Sequence, residues 1–299
     1  MAIKFRADMR GSLVALVTPM DAAGAVDYPA VDRLIDWHAD SGTAALVVAG
    51  TTGESATLTH DEHAELIRYV AGQARGRIPV VAGTGSNSTA QTIALSQAVA
   101  GSEIVAFLVV TPYYNKPTQE GMFRHFTAIA DAVEQPLILY NVPVRTAVDL
   151  LPETVGRLAE HPRIGALKEA TGEVERVGRL RALCGEEFSL YSGDDATARD
   201  FMLAGGDGVI SVTANVAPRA MADMCGAALA GDSARAAERD APLAALHDAL
   251  FVESNPIPVK WALNRMNRIA AGIRLPLTEL SGPHHAQVQG ALTEAGALS

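Results

Sequence analysis

Apolar, β-favouring runs recur along the chain at Ser12–Thr18, Ala44–Val48, Ile78–Ala82, Ile104–Val110, Leu137–Tyr140, Ile164–Lys168, Phe188–Tyr191 and Gly208–Val212. A helix-like segment follows each, and the repeat of roughly 20 to 35 residues is the size of a βα unit. Several runs are apolar at successive rather than alternate positions, as in Ala44-Ala45-Leu46-Val47-Val48. Strands apolar on both faces belong to parallel sheets covered by helices. Eight such units favour a (β/α)8 TIM barrel over a doubly wound sheet, whose dinucleotide fingerprint is missing: Gly83-Thr84-Gly85-Ser86-Asn87-Ser88 lacks the third glycine. After Pro218 the pattern turns helical, near 219–230, 234–250, 256–270 and 282–297. The first of these reads as the eighth barrel helix and the others as a C-terminal helical extension. The expected organisation is a barrel over residues 1–230 with an extension over 231–299 packed on it. Asn255-Pro256 reads as a helix N-cap followed by a first-turn proline.

Composition narrows the function. The chain has 299 residues, of which 48% are hydrophobic and 19% charged, and its formal net charge is −10. That balance supplies a core and argues against nucleic acid or an anionic membrane as partner. Small acidic substrates remain compatible, because they need only a local cationic pocket. The N-terminus, Met1 to Asp8, carries no apolar leader and no later run approaches a membrane span, so a cytoplasmic location is expected. Cys184 and Cys225 are isolated, which indicates neither a disulfide framework nor a zinc site.

In barrels of this type, chemistry sits on the loops after the C-terminal strand ends. Lys168 closes the sixth apolar run. An ammonium there is poorly solvated, so its pKa falls and a free amine becomes available to attack a ketone. The alternative is a rim lysine whose charge is met by Glu169 or a loop carboxylate. Gly50-Thr51-Thr52-Gly53-Glu54-Ser55, after the second run, offers backbone amides and two hydroxyls to an anion, without the ending of a P-loop. Tyr113, Tyr114 and Tyr140 carry phenols able to relay protons or simply to pack. Arg145 presents a planar fork suited to a carboxylate. Asp194 and Asp195 stand where carboxylates cap the amides of a helix start. His60 and His63 have helical i, i+3 spacing, but no third ligand motif accompanies them, and Thr59 with Glu62 reads as a capping box.

Taken in order, Gly50-Thr51-Thr52-Gly53-Glu54, Tyr140-Asn141-Val142-Pro143, Lys168-Glu169-Ala170-Thr171-Gly172 and Gly206-Asp207-Gly208-Val209-Ile210-Ser211 closely resemble the dihydrodipicolinate synthase / N-acetylneuraminate lyase family of class I aldolase-like barrels. The likeness runs from about Gly11 to the C-terminal helices. It implies that Lys168 forms an imine with pyruvate and that no metal or organic cofactor is needed. The enamine would then attack L-aspartate-4-semialdehyde, in the diaminopimelate route to lysine. By the same resemblance, Thr51, Tyr140 and Tyr114 match a proton relay, with Tyr114 supplied across a tight dimer to the neighbouring site. Thr52 would hold the pyruvate carboxylate, Gly193 and Ile210 would line the imine pocket, and Arg145 would receive the semialdehyde carboxylate. Ser55, Ala56, His60, His63, Asn87, Gln91 and Tyr113 match a lysine feedback site, with Gln91 standing where the lysine-inhibited members commonly carry glutamate. Homotetramers built of two tight dimers are usual in the family.

The resemblance leaves two further readings to weigh. One is another pyruvate-dependent class I aldolase, such as the sialic-acid lyase branch or a 2-keto-3-deoxy sugar acid aldolase. In the sialic-acid branch the arginine is generally absent and the glycine-rich loop usually begins Gly-Ser-Thr. The other is a non-catalytic barrel that binds an amino acid or keto acid, which gives no reason to hold the lysine, tyrosines, threonine and arginine together.

Overall fold

The computed structural model describes residues 9–298. Residues 1–8 and Ser299 lie outside that range, and with them the leader reading of the N-terminus. Eight strands, β1 Gly11–Ala15, β2 Ala45–Val48, β3 Val80–Gly83, β4 Ala106–Val110, β5 Leu137–Asn141, β6 Ile164–Glu169, β7 Ser189–Ser192 and β8 Gly208–Ser211, close into one barrel in sequence order. Every neighbouring pair is parallel, including β1 with β8. All eight expected strands are present, most of them shorter than the apolar run that announced them.

The helices of the barrel layer are α1 Tyr28–Asp40, α2 His60–Ala74, α3 Thr89–Val99, α4 Gln119–Ala132, the short α5 Pro143–Thr146, α6 Pro152–Ala159, α7 Arg176–Cys184, α8 Ala198–Leu203 and α9 Pro218–Leu229. The first four start on polar side chains that accept a first-turn N–H: Asp27, Thr59, Ser88 and Thr118. At α2 the expected box is complete, with Glu62 reaching back to the Thr59 N–H.

The unbroken apolar runs are explained by two cores. Inside the barrel, Leu13, Val47, Val81, Leu108, Ile138, Ala166 and Tyr191 pack on one another. The alternate residues, such as Leu46, Phe107, Leu139, Leu167 and Val209, face the helices in a second, larger cluster. Each such side chain, when fully buried, stabilises the fold by about 1.5–3 kcal/mol.

From Ser233 onward the chain is helical but more broken than its periodicity suggests. The expected 234–250 helix is split into α10 Ser233–Asp240 and α11 Ala244–Ala249 by a 3-10 turn at Ala241–Leu243, because Pro242 cannot donate to the helical ladder. The expected 256–270 helix is α12 Ile257–Arg265, and the last helix, α13 His285–Glu294, is preceded by a 3-10 turn. Asn255 is not the cap of α12, whose N-terminus has no side-chain cap hydrogen bond. Its amide points elsewhere, into the site described below.

Candidate active site

Strand alternation decides which groups meet at the C-terminal mouth of the barrel. On β6, Ala166 faces inward, and so does Lys168 two residues on, while Leu167 and Glu169 face the helix layer. Glu169 accordingly pairs with Asn141, the Thr171 N–H and Arg176. The reading in which Glu169 neutralises Lys168 is thereby excluded. In register, Tyr140 of β5 lies beside Lys168, and Lys168 beside Tyr191 of β7. The Lys168 Nζ stands 4.4 Å from the centroid of the Tyr140 ring.

Lys168 is 6% exposed and makes no ion pair among the described residues. Burial pushes its pKa down to about 8; the Asp195 charge works against that fall and the Arg145 charge adds to it. Tyr140 is also buried, which raises its phenol pKa, while the Arg145 charge and a hydrogen bond with Thr51 oppose the rise. An amine whose pKa is lowered to about 8 thus sits against a phenol linked to a threonine hydroxyl.

The cavity above Lys168 holds about 620 Å³ and is bordered by Thr51, Thr52, Tyr140, Arg145 and Gly193. Gly193 is there because nothing larger fits: a Cβ at this position would come within 2.5 Å of the Ala170 Cβ and 2.9 Å of the Lys168 Cε. Gly53 is equally constrained, since its Cβ would lie 2.9 Å from the Ala49 Cα. The 50–55 loop closes on itself through Glu54 N–H to Thr51 and Ser55 N–H to Gly50. It is pinned by Thr18, whose hydroxyl donates to the Gly53 carbonyl at 2.7 Å. Those bonds leave the threonine hydroxyls, rather than the amides of Glu54 and Ser55, to meet a ligand. Arg145, on α5, donates through Nη2 to the Asn255 carbonyl at 3.3 Å, which aims the guanidinium across the cavity mouth.

Not every expected residue is in this cavity. Ile210 is buried in the barrel interior with Tyr140, and Val212 takes its place at the cavity wall. Tyr114 is 89% exposed, in a left-handed conformation with φ 72°, and does not border the cavity of its own chain. Asp195 does not cap α8, which starts at Ala198; its Oδ2 accepts the N–H groups of Val212 and Thr213 instead, at 2.8 and 3.0 Å. Asp194 accepts from the Thr197 hydroxyl. Asn255 was missed as a site residue because Asn-Pro is a common helix entry, and nothing local shows that its amide reaches Thr52, 203 positions earlier in the chain.

A second cavity of about 720 Å³ adjoins the first. Ser55, Ala56, His60, His63, Gln91 and Tyr113 border it, and Asn87 is tied to it through a hydrogen bond to the Tyr113 carbonyl. His63 is held by the Gly83 carbonyl at 2.7 Å, and burial keeps its imidazole below the usual pKa. Gln91 accepts from the Ser86 hydroxyl. Thr51, Val142, Arg145, Ser254 and Asn255 form the common wall of the two cavities. Among the described residues no three His, Cys, Asp or Glu side chains are grouped so as to hold a metal ion, and no helix is long and apolar enough to cross a membrane.

Known proteins resemble this chain over nearly its whole length. The model of the Dihydrodipicolinate synthetase family matches residues 8–295. A 4-hydroxy-tetrahydrodipicolinate synthase of Methylococcus capsulatus is 58% identical over 290 residues, which cover 97% of this chain and 100% of that one. The crystal structure of a chloride-inhibited dihydrodipicolinate synthase from Acinetobacter baumannii, complexed with pyruvate, superposes with a TM-score of 0.95 at 50% identity, covering 97% of this chain and 100% of the other. A dihydrodipicolinate synthase described as the first monomeric variant superposes with a TM-score of 0.94 at 40% identity, covering 99% of both chains.

Proposed function

This chain belongs to the dihydrodipicolinate synthetase family, and we propose that Lys168 carries its chemistry as an imine with pyruvate. The enzyme is a lyase of lysine biosynthesis that produces 4-hydroxy-tetrahydrodipicolinate. The observation that carries the residue assignment is a buried amine with no ion pair among the described residues, its pKa lowered to about 8, packed against Tyr140 at the floor of a cavity that Arg145 overlooks.

In this reading the neutral Lys168 amine adds to the C2 carbonyl of pyruvate, and loss of water leaves the imine. Tyr140, polarised by its bond to Thr51, shuttles the protons of both steps. Thr52 donates to the keto-acid carboxylate. Removal of a proton from the methyl carbon gives the enamine, which attacks the aldehyde carbon of L-aspartate-4-semialdehyde while Arg145 holds that substrate's carboxylate by a charge-assisted fork. The substrate's amino group then adds to the imine carbon and expels the Lys168 amine, closing the ring. The arginine favours this acceptor over a sugar acid, whose polyhydroxyl chain calls for a longer polar groove.

The reading extends beyond Lys168. We assign Tyr114 to the neighbouring subunit's site in a tight dimer, a placement supported by an exposed aromatic held in a left-handed turn at the rim. A tetramer of two such dimers, a cytoplasmic location and freedom from metal or organic cofactor complete the proposal. The second cavity is assigned to lysine feedback, weakened by Gln91: a carboxylate there would add one charge-assisted contact to an ammonium, an effect of about 1.5–3 kcal/mol. Replacing Gln91→Glu is expected to tighten lysine inhibition, and an unchanged inhibition constant would remove the assignment.

The decisive test is borohydride reduction in the presence of pyruvate, followed by peptide mass spectrometry. The expected result is a pyruvate-derived adduct on the Lys168 peptide, with turnover indifferent to chelators. Absence of the adduct, or activity lost to a chelator and restored by zinc, overturns the imine reading.

A further inference from the structure

Asn255 stands in the C-terminal extension, yet it touches both substrate-binding groups of the barrel. Its Nδ2 donates to the Thr52 Oγ1 at 2.9 Å, and its backbone carbonyl accepts from Arg145 Nη2 at 3.3 Å. The residue is 6% exposed and forms part of the wall shared by the two cavities. Among the described residues the side chain's one hydrogen bond is the one to Thr52, because its Oδ1 is buried without a donor. A structural staple would engage both ends of the amide. This amide engages one, and that one is a hydroxyl of the site.

The consequence follows from the inventory of a hydroxyl group, which has a single proton to donate. When Thr52 accepts from the Asn255 amide, its own proton is left to point at a ligand. Were the amide reversed, Thr52 would donate to Oδ1 and present only lone pairs to the cavity, which repel a carboxylate. We propose that Asn255 is a positioning residue that makes Thr52 an obligate donor to the keto-acid carboxylate, so that the C-terminal extension sets affinity for the first substrate. This rests on the role given to Thr52 above. The contact with Arg145 runs through the main chain, so side-chain substitutions at 255 leave the anchor of the second substrate in place.

That separation makes the idea testable. Steady-state constants for both substrates are to be compared for the wild type, Asn255→Ala, Asn255→Asp, Thr52→Val and the Thr52→Val/Asn255→Ala double variant. Asn255→Ala removes the orienting donor and is expected to raise the KM for pyruvate roughly fivefold to tenfold. Asn255→Asp captures the threonine proton and adds a like charge, so its pyruvate KM rises severalfold further, while the KM for the semialdehyde stays within about a factor of two in both, a split that general loosening of the site does not produce. In the Thr52→Val background the alanine substitution has no further effect.

The pyruvate dependence of borohydride-trapped adduct on Lys168 gives the same comparison without the second substrate. If the aspartate variant does not fold, as judged by circular dichroism, the alanine and valine cycle decides. Parallel rises in both KM values, an aspartate variant no worse than alanine, or an alanine effect that persists in the Thr52→Val background each overturn the proposal. A wild-type protein that traps pyruvate while the variants bind it unchanged removes only this inference; a wild type that traps none removes the imine reading and this inference with it.

Discussion

Among the described residues two lysines are almost completely buried, Lys168 at 6% exposure at the floor of the active-site cavity and Lys260 at 4% in the C-terminal extension. Desolvation lowers the pKa of both. What differs is the company each keeps. The Nζ of Lys260 is hydrogen-bonded to Glu54, whose side chain is wholly buried and whose other carboxylate oxygen accepts the Arg274 N–H at 3.2 Å. Lys168 meets an aromatic face and a cavity instead. A buried amine whose charge is neutralised in place is a clamp, and one without an ion pair beside a cavity is the nucleophile we propose. The clamp also serves the nucleophile, for Glu54 closes the loop that carries Thr51 and Thr52.

The sharpest way to break the comparison is to remove each amine in turn. Lys168→Ala is expected to lower kcat/KM on the order of a thousandfold or more, because it removes the amine proposed to form the imine, while urea denaturation shows stability unchanged or improved. Loss of stability with residual turnover would reverse the roles. Lys260→Met leaves Glu54 buried and uncompensated, at a cost of about 3–5 kcal/mol in the same denaturation experiment. Replacing Glu54 by leucine as well is expected to recover much of that loss, since an apolar pair of similar volume replaces two buried charges.

A pH profile tests the Lys168 side of the comparison. Only the unprotonated amine adds to a ketone, so with a Lys168 pKa of about 8 the rate of imine formation rises about tenfold per pH unit up to that value and then levels off. A flat profile between pH 6 and 9 contradicts a titrating nucleophile. The smallest effects come from the charges around it. Asp195→Asn removes the anion that favours the ammonium and should move the break to lower pH, whereas Arg145→Met removes a cation and should move it higher. Break points that shift in the same direction would show that the neighbours act by packing rather than by charge.

Much of this arrangement was legible in the chain before any coordinates. Eight doubly apolar runs at βα spacing lead to a closed parallel barrel, because only a sheet covered on both faces tolerates them. Lys168, Tyr140, Thr51, Thr52 and Arg145 stand out because strand ends open on one mouth, whereas Gly193 entered only through the family resemblance. The helices of the extension were harder: apolar periodicity runs through 234–250, but Pro242 splits it. Asp195 read locally as a helix cap, yet its carboxylate serves the end of β8.

By itself, the sequence determined the class of fold, the strand ends and the residue types at the mouth, because hydrophobic period and strand termini are local properties. Only the tertiary structure decided which buried lysine is paired, that Glu169 turns away from Lys168, and that Asn255 reaches Thr52 across 203 positions. Desolvation and hydrogen-bond partnership depend on atoms brought together by closure of the barrel and docking of the extension, and no local pattern carries that information.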